Sequence, residues 1–289
     1  RQPVEVYRTQ RRGGRGISGV ARKDEDFVED MFITSTHDYV LFFTNRGKMY
    51  RMKGYEIPET GRAARGSHVV NLLPIEKDEK ISAMIRVDEV ENDSYLVMVT
   101  RNGTIKRTAL SAYRNVRKGG IIAINLEEGD ELAWVRNTTG EDDLIIATRQ
   151  GVAIRFAESD VRPMGRTATG VRAIRLDEGD EVIAMATCEE GGYLLTVTEN
   201  GQGRRTALGE YRTQNRGGRG VRNYDCEGKG TLVAGVRVVG EEDDVMARTP
   251  VDAAPSTMLI AAISDSACKK TPPDFSIRFA IYADSSVCG

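Results

Sequence analysis

Apolar residues along this chain gather into short runs that are hydrophobic almost throughout: YVLFF at 39–43, YLVMV at 95–99, LIIA at 144–147 and YLLTV at 193–197. A run of four or five residues without polar alternation predicts a strand covered on both faces. Each run leads into Thr-x-x-Gly and a short segment closed by arginine, as Thr44, Gly47, Arg51; Thr100, Gly103, Arg107; Thr148, Gly151, Arg155; and Thr198, Gly201, Arg205. Asn102-Gly103 and Asn200-Gly201 predict tight two-residue hairpin turns, in which both residues take positive φ. Other segments alternate, such as VRAIRL at 171–176, and predict half-exposed strands. Helical periodicity is weak everywhere.

The pattern repeats. A glycine that closes a basic loop recurs at Gly16, Gly66, Gly120, Gly170 and Gly220, with spacings of 50, 54, 50 and 50 residues. One period holds a strand, a hairpin and a basic loop, with room for about four strands, and such a period predicts an all-β radial array of blades. After Glu241–Met246 the next Thr-x-x-Gly is missing, and residues 247–289 contain no basic loop and no glycine before Gly289. The expected division is a repeat domain over 1–246 and a divergent, poorly packed tail over 247–289, which leaves the last blade incomplete or replaced. Met258–Ile263 and Ser276–Tyr282 are the strand candidates within that tail.

With 289 residues and 40% hydrophobic content the chain is long enough for a substantial core. The net charge of −2 argues against a polyanionic partner, but that average hides segregation. Residues 1–22 carry Arg1, Arg8, Arg11, Arg12, Arg15 and Arg22 against the single acid Glu5, while Glu127–Glu131 and Asp177–Glu181 form acidic turns one period apart. The densest basic segment is Gln10-Arg11-Arg12-Gly13-Gly14-Arg15-Gly16, with a degraded copy at Asn215–Gly220. Guanidinium forks match phosphate oxygens and glycine lets the main chain come close. In isolation such a run reads equally as a disordered linker, and its place in a repeat favours a binding surface.

The candidate phosphate-binding residues are Gln10, Arg11, Arg12, Gly13, Gly14, Arg15, Gly16, Arg62, Arg65, Arg117, Lys118, Arg166, Arg172, Arg212, Arg216 and Arg219, twelve of them cations. Bending one persistence length of duplex through a full turn costs roughly 12 kcal/mol. Releasing a condensed counterion at ~0.1 M salt contributes roughly 1.2 kcal/mol per phosphate, so about ten contacts offset the bend. Twelve cations are therefore sufficient, with little excess. Base specificity is not expected from contacts of this kind.

Other features carry less. The acidic turns fit solvated loops, a surface that repels a polyanion, or, least well, ligands for a hard cation, because no EF-hand order is present. Arg51, Arg107, Arg155 and Arg205 close equivalent strands and fit either a structural pairing or phosphate contact, the latter helped by the adjacent Lys106 and Arg204. His37 and His68 are the two histidines, too few for a His-based triad or zinc site, and His68 reads as a surface residue next to the second basic loop. Trp134 suits packing in a strand better than base stacking. Cys188, Cys226, Cys268 and Cys288 lack CxxC spacing and read as free thiols of a reducing compartment. There is no Walker-type loop, no apolar stretch near the ~18–20 residues of a membrane span, and no signal-peptide core, so a cytoplasmic location is expected.

The heptapeptide QRRGGRG, followed by units of apolar-T-x-x-G-x-x-x-R and G-x-x-x-x-G, resembles the C-terminal domain of the A subunit of DNA gyrase over about residues 3–246. The resemblance implies a six-bladed β-pinwheel whose perimeter binds and wraps duplex DNA, so that the whole enzyme introduces negative supercoils with ATP. It implies that the heptapeptide marks gyrase as against topoisomerase IV, and that the domain is monomeric in isolation and nucleoid-associated in the cell. It places the cleaving tyrosine, preceded by arginine, in the N-terminal part of that larger protein; none of the ten tyrosines here follows an arginine. No catalytic residue, metal or cofactor is expected in this chain. The resemblance puts ATP and magnesium elsewhere in the whole enzyme, whose other parts are the N-terminal catalytic region and the B subunit.

Two further functions fit parts of the pattern. A propeller-like protein-interaction scaffold explains the repeat but not the registered basic loops, and the Trp-Asp repeat signature is absent. A single-strand RNA binder of the RGG type lacks aromatic platforms near the glycines.

Overall fold

The computed structural model describes residues 1–3, 28–61, 64, 66–88, 93–188, 191–241, 243–248, 259–263 and 276–282. The heptapeptide at 10–16, Arg62, Arg65, Cys268 and Cys288 lie outside them. Two strands come first, β1 (Gln2–Pro3) and β2 (Val28–Ser35). Unit 1 contributes β3 (Tyr39–Thr44), β4 (Lys48–Lys53) and β5 (Ile81–Val87). Unit 2 contributes β6 (Tyr95–Thr100), β7 (Thr104–Ala109), β8 (Ile121–Ile122) and β9 (Leu132–Thr138). Unit 3 holds β10 (Asp143–Thr148), β11 (Val152–Ala157), β12 (Val171–Arg172) and β13 (Val182–Thr187). Unit 4 holds β14 (Tyr193–Thr198), β15 (Gly203–Ala207), β16 (Val221–Arg222) and β17 (Val233–Val239). Then come β18 (Asp244–Arg248), β19 (Leu259–Ile263) and β20 (Ser276–Tyr282).

The apolar runs are the central strands, and both faces are covered as the lack of alternation predicts. In β3, Leu41 and Phe43 enter one core with Leu96 and Met98, while Val40 and Phe42 enter another with Tyr50 and Leu73. Alternate residues of β6 likewise divide between the core shared with unit 1 and that shared with unit 3, where Val97 and Val99 meet Leu144 and Ile146. Each core thus lies between two sheets, and Trp134 packs against one of them. A fully buried side chain of this size contributes about 1.5–3 kcal/mol.

The hairpins form, but their turns are not the two-residue kind. The Gly103 amide donates to the Thr100 carbonyl at 3.1 Å and the Thr104 amide to Thr100 Oγ1 at 3.1 Å, so three residues separate the strands. The threonine hydroxyl takes over a bond that a tighter turn makes with backbone, and the final glycine takes the left-handed region, at φ 80° in Gly103.

Three sheets have four strands each, in the orders β5-β3-β4-β8, β9-β6-β7-β12 and β13-β10-β11-β16. The outermost strand of each is lent by the following unit: β8 of unit 2 pairs with β4, β12 of unit 3 with β7, and β16 of unit 4 with β11. The alternating segment 171–176 is therefore not one half-exposed strand. Only Val171 and Arg172 pair, after which Ala173 and Ile174 are both buried. The reason is local: the Ala173 amide donates to the Gly103 carbonyl at 2.8 Å, docking the segment on the preceding hairpin turn. The remaining sheets are β15-β14-β17, β18-β19 and β1-β20-β2. In the last, β20 lies between two strands from the start of the chain, antiparallel to both. Consecutive sheets approach most closely at β5, β9, β13 and β17, which puts these strands toward the hub and β8, β12 and β16 on the outside.

Candidate nucleic-acid interface

Each basic loop of units 2, 3 and 4 begins after a 3-10 turn (Leu110–Tyr113, Glu158–Asp160 or Leu208–Glu210) and ends where its glycine drops onto β4, β7 or β11 of the preceding sheet. Gly120, at φ 77°, lies so close to β4 that a Cβ there would meet the Tyr50 ring at 2.7 Å and the Met49 carbonyl at 3.1 Å. Gly170 and Gly220 meet the Ile105 and Ala153 carbonyls in the same way, at 2.6 Å each. The 50-residue glycine register therefore serves close approach to protein backbone.

The loops are stitched end to end along one edge. Asn125, just past β8, donates its amide to the Ala168 carbonyl of the next loop at 3.3 Å and its side-chain amide to the Thr167 carbonyl at 2.6 Å. Farther on, the Gly217 amide donates to the Ala173 carbonyl at 2.7 Å and the Arg175 amide to the Gly218 carbonyl at 2.8 Å. The basic loops of units 2, 3 and 4, ending at Gly120, Gly170 and Gly220 and called loops 2, 3 and 4 after their units, thus form one continuous border, and all seven of the described candidate cations belong to this border.

Arg117, Lys118, Arg172, Arg212 and Arg219 are exposed and Arg166 is half-buried. Among the described residues none of these six has a carboxylate partner or a side-chain hydrogen bond. Arg216 differs: its guanidinium donates to the Arg172 carbonyl at 2.6 Å and the Asp160 carbonyl at 3.3 Å, bracing one loop against the next. Arg162 and Arg175 are exposed on the same border and were missed by the spacing argument; their signal was position, within ten residues of Gly170.

The terminal arginines are mainly structural. Arg107 is buried, donates to the Gly140 carbonyl at 3.1 Å and lies 3.8 Å from Glu158, itself fully buried. Arg155 pairs with Asp143 at 2.7 Å. Arg205 stacks on Tyr193 at 4.3 Å, and Arg51 on Tyr39 at 4.5 Å. Arg1 occupies the same place one period earlier, since its carbonyl accepts from Thr60 as that of Arg107 accepts from Met164. Lys106 is corrected outright as a phosphate contact: it is fully buried, and its ammonium donates to the Ala123 carbonyl at 2.6 Å and to the Arg166 carbonyl. Burial, with the Arg166 charge second, holds Lys106 down at about 8.

The acidic turns occupy the hairpin-turn end of the sheets, off the loop border. Asp130 and Asp180 accept from the Asn102 and Gln150 amides at 3.0 and 2.9 Å. Arg101 joins Glu131 at 3.3 Å and Glu181 at 3.1 Å, and Arg149 joins Glu181 at 3.4 Å and Glu199 at 2.7 Å. The Arg101–Glu181 and Arg149–Glu199 pairs link consecutive units, and no group of three or more His, Cys, Asp or Glu suited to a metal occurs among the described residues. Cys188 and Cys226 are free thiols, and burial pushes Cys188 up to about 11.

Comparison with known proteins matches the family described as DNA gyrase C-terminal domain, beta-propeller, over residues 1–35, 38–88, 94–139, 142–189 and 192–239. Similar curated proteins include the A subunit of DNA gyrase from Halalkalibacterium halodurans, 57% identical over 171 residues, 59% of this chain and 20% of that one. Its counterpart from Clostridium acetobutylicum is 56% identical over 168 residues, 58% of this chain and 20% of the relative. The aligned region thus spans about a fifth of the length of these relatives. Among solved structures, the C-terminal domain of DNA topoisomerase IV aligns with a TM-score of 0.74 at 29% identity, covering 84% of this chain and 74% of the other. A DNA gyrase A C-terminal domain aligns with a TM-score of 0.67 at 26% identity, covering 89% and 83%. Five matched segments that follow the 50-residue period, on a β-pinwheel of radially placed sheets, establish that this chain belongs to the DNA gyrase C-terminal domain family.

Proposed function

We propose that this chain binds duplex DNA along its outer basic border and curves it, as the wrapping module of a gyrase that introduces negative supercoils with ATP. The observation that carries this reading is the run of stitched loops whose cations, Arg117, Lys118, Arg166, Arg172, Arg212 and Arg219, have no carboxylate partner among the described residues. An unpaired row of guanidiniums is the electrostatic arrangement a phosphate backbone neutralises, with release of counterions. The heptapeptide at 10–16 and Arg62 and Arg65 extend the row in this reading, since they hold the same place in the period. Gly13 and Gly14 would let the main chain come near the duplex, Gln10 would offer its side-chain amide to a phosphate, and Gly16 would keep the place of the glycines that dock on protein backbone. Residues 1–246 act as the wrapping domain and 247–289 as an appended tail. Strand cleavage, ATP and magnesium belong to the N-terminal catalytic region and to the B subunit, with which this chain works in the bacterial cytoplasm.

The test is length dependence. Filter binding with a long duplex of about 140 base pairs, a 20-base-pair duplex and a single strand should show affinity rising steeply only for the long duplex. A relaxed plasmid closed by a nicking-closing enzyme in the presence of the chain should keep a change in linking number. Equal affinity for all three nucleic acids, with no linking change, refutes wrapping.

A further inference from the structure

The geometry points to one discrete phosphate seat on this border, at the junction of units 1, 2 and 3, that takes two neighbouring phosphate groups through Arg51, Arg117 and Arg166. Naming the occupant as DNA backbone phosphates rests on the proposed function; the phosphate chemistry does not. The three arginines line a single depression of about 560 Å³ together with Asn115, Val116, Gly120 and Ile121, and none of the lining residues is acidic. Each arginine comes from a different unit, so the seat exists only because loop 2 lies on sheet 1 and loop 3 lies on loop 2.

Two observations make it more than a charged patch. Arg51 is held in place, stacked 4.5 Å over the Tyr39 ring with a guanidinium nitrogen donating to the Arg114 carbonyl at 2.6 Å. A guanidinium fixed before binding loses less freedom when an anion arrives. Beneath, the fully buried Lys106 ammonium ties the Arg166 backbone to Ala123, joining the two loops that form the walls. That ammonium has no carboxylate partner among the described residues, so its field adds to that of the arginines.

The next junction lacks the arrangement. There the equivalent of Arg51 is Arg107, buried beside Glu158. The glycine alignment puts Thr167 in place of Arg117, and Arg216, the counterpart of Arg166, is tied to the Arg172 and Asp160 carbonyls. Among the described units the seat is single, and it should be the strongest anchor of the border.

Isothermal titration of the whole chain with inorganic tripolyphosphate, followed by competition with the long duplex, tests this. The chain should bind one equivalent. The Arg117→Gln/Arg166→Gln variant should lose at least tenfold in affinity, whereas Arg212→Gln/Arg219→Gln, with the same charge change in unit 4, should lose less than twofold. Equal unfolding midpoints for the two variants keep folding out of the comparison. Equal losses in both variants, or binding without a defined stoichiometry, overturns the seat. Long duplex should displace tripolyphosphate; a seat that keeps it under saturating duplex overturns the assignment to backbone phosphates. If the chain fails to bind duplex at all while the seat still takes tripolyphosphate, the proposed function falls and the seat stands.

Discussion

The same residue type plays opposite parts on two borders of this molecule. At the hairpin-turn end Arg46, Arg101 and Arg149 all have carboxylate partners, and for Arg101 and Arg149 one of them belongs to the next unit. On the outer border Arg117, Arg172, Arg212 and Arg219 have none among the described residues. The difference arises from where the acidic turns reach. After each lent strand the chain passes the preceding hairpin before it turns back, so Asp130 and Asp180 arrive at the turns and leave the outer strands bare. The net charge of −2 thus conceals two unlike borders among the described residues, one neutralised within the protein and one whose arginines have no internal carboxylate partner. Cohesion between units rests on arginines other than those of the proposed binding border, and the two should break separately.

The largest effect is expected at the turn border. Gly151 takes φ 85°, and a Cβ there would meet the Tyr224 carbonyl at 2.4 Å, while its own carbonyl accepts from the Asn223 and Tyr224 amides at 2.8 and 3.0 Å. Gly151→Ala should destabilise the chain by about 3 kcal/mol, from left-handed strain plus a clash with backbone that cannot move aside. Gly201 has nearly the same φ, 82°, with nothing within 4 Å of the added Cβ. Gly201→Ala should cost only the strain, about 1 kcal/mol. Denaturant midpoints compare the two, and equal losses would show that docking on the turn contributes nothing beyond the turn itself.

Lys106 is a cation fully buried under the outer border, with Arg166 as its charged neighbour and the Tyr113 hydroxyl sharing the Ala123 carbonyl. Its folded value is about 8 against 10.5 when unfolded. Between these values the unfolded chain holds a proton that the folded chain has released, so stability rises with pH across that window and is flat below it. From pH 8 to 10 the gain should be about 2 kcal/mol. Urea unfolding at intervals over this range measures it. In Lys106→Met that part of the slope should vanish, and a slope unchanged by the substitution would show that Lys106 does not report the uncompensated charge.

Much of this was legible in the sequence, for reasons that differ by element. The central strands announced themselves because burial on both faces, as in Val40–Phe43, permits no polar alternation, and the hairpins because their glycines keep register. The lending of β8, β12 and β16 to the preceding sheet was not legible. Two-residue strands have no periodicity, and their partners lie in another unit. The turn type was misread since Asn102-Gly103 hides the part played by Thr100, whose hydroxyl replaces a backbone acceptor. For the site, the cations of loops 2 to 4 were visible as charge, but not which of them stay unpaired. That depends on the reach of the acidic turns and on carbonyls that capture Arg216. Lys106 looked like a surface cation because its neighbours Arg107 and Thr108 are also polar, and all three are buried. Arg51 lines the depression beside Arg117 and Arg166 only because two later loops fold onto its strand, the nearer one 63 residues on at Arg114.

The smallest expected effect is also the one that separates the two borders most cleanly. Arg101 is about half exposed, as is Glu131, and Glu181 is less so, at side-chain exposures of 49%, 48% and 27%. Its pairs are therefore screened, and Arg101→Met should lower stability by less than about 1 kcal/mol, with the difference shrinking further in 0.5 M salt. Duplex affinity should stay within twofold of the parent chain, because the proposed phosphate path runs along the other border. The seat variant predicts the mirror image, an unchanged midpoint and weakened binding. If Arg101→Met lost as much duplex affinity as Arg117→Gln/Arg166→Gln at the same ionic strength, the two borders would be acting as one diffuse field. Pairing with carboxylates would then have no bearing on which arginines bind, and the division drawn from the geometry would be wrong.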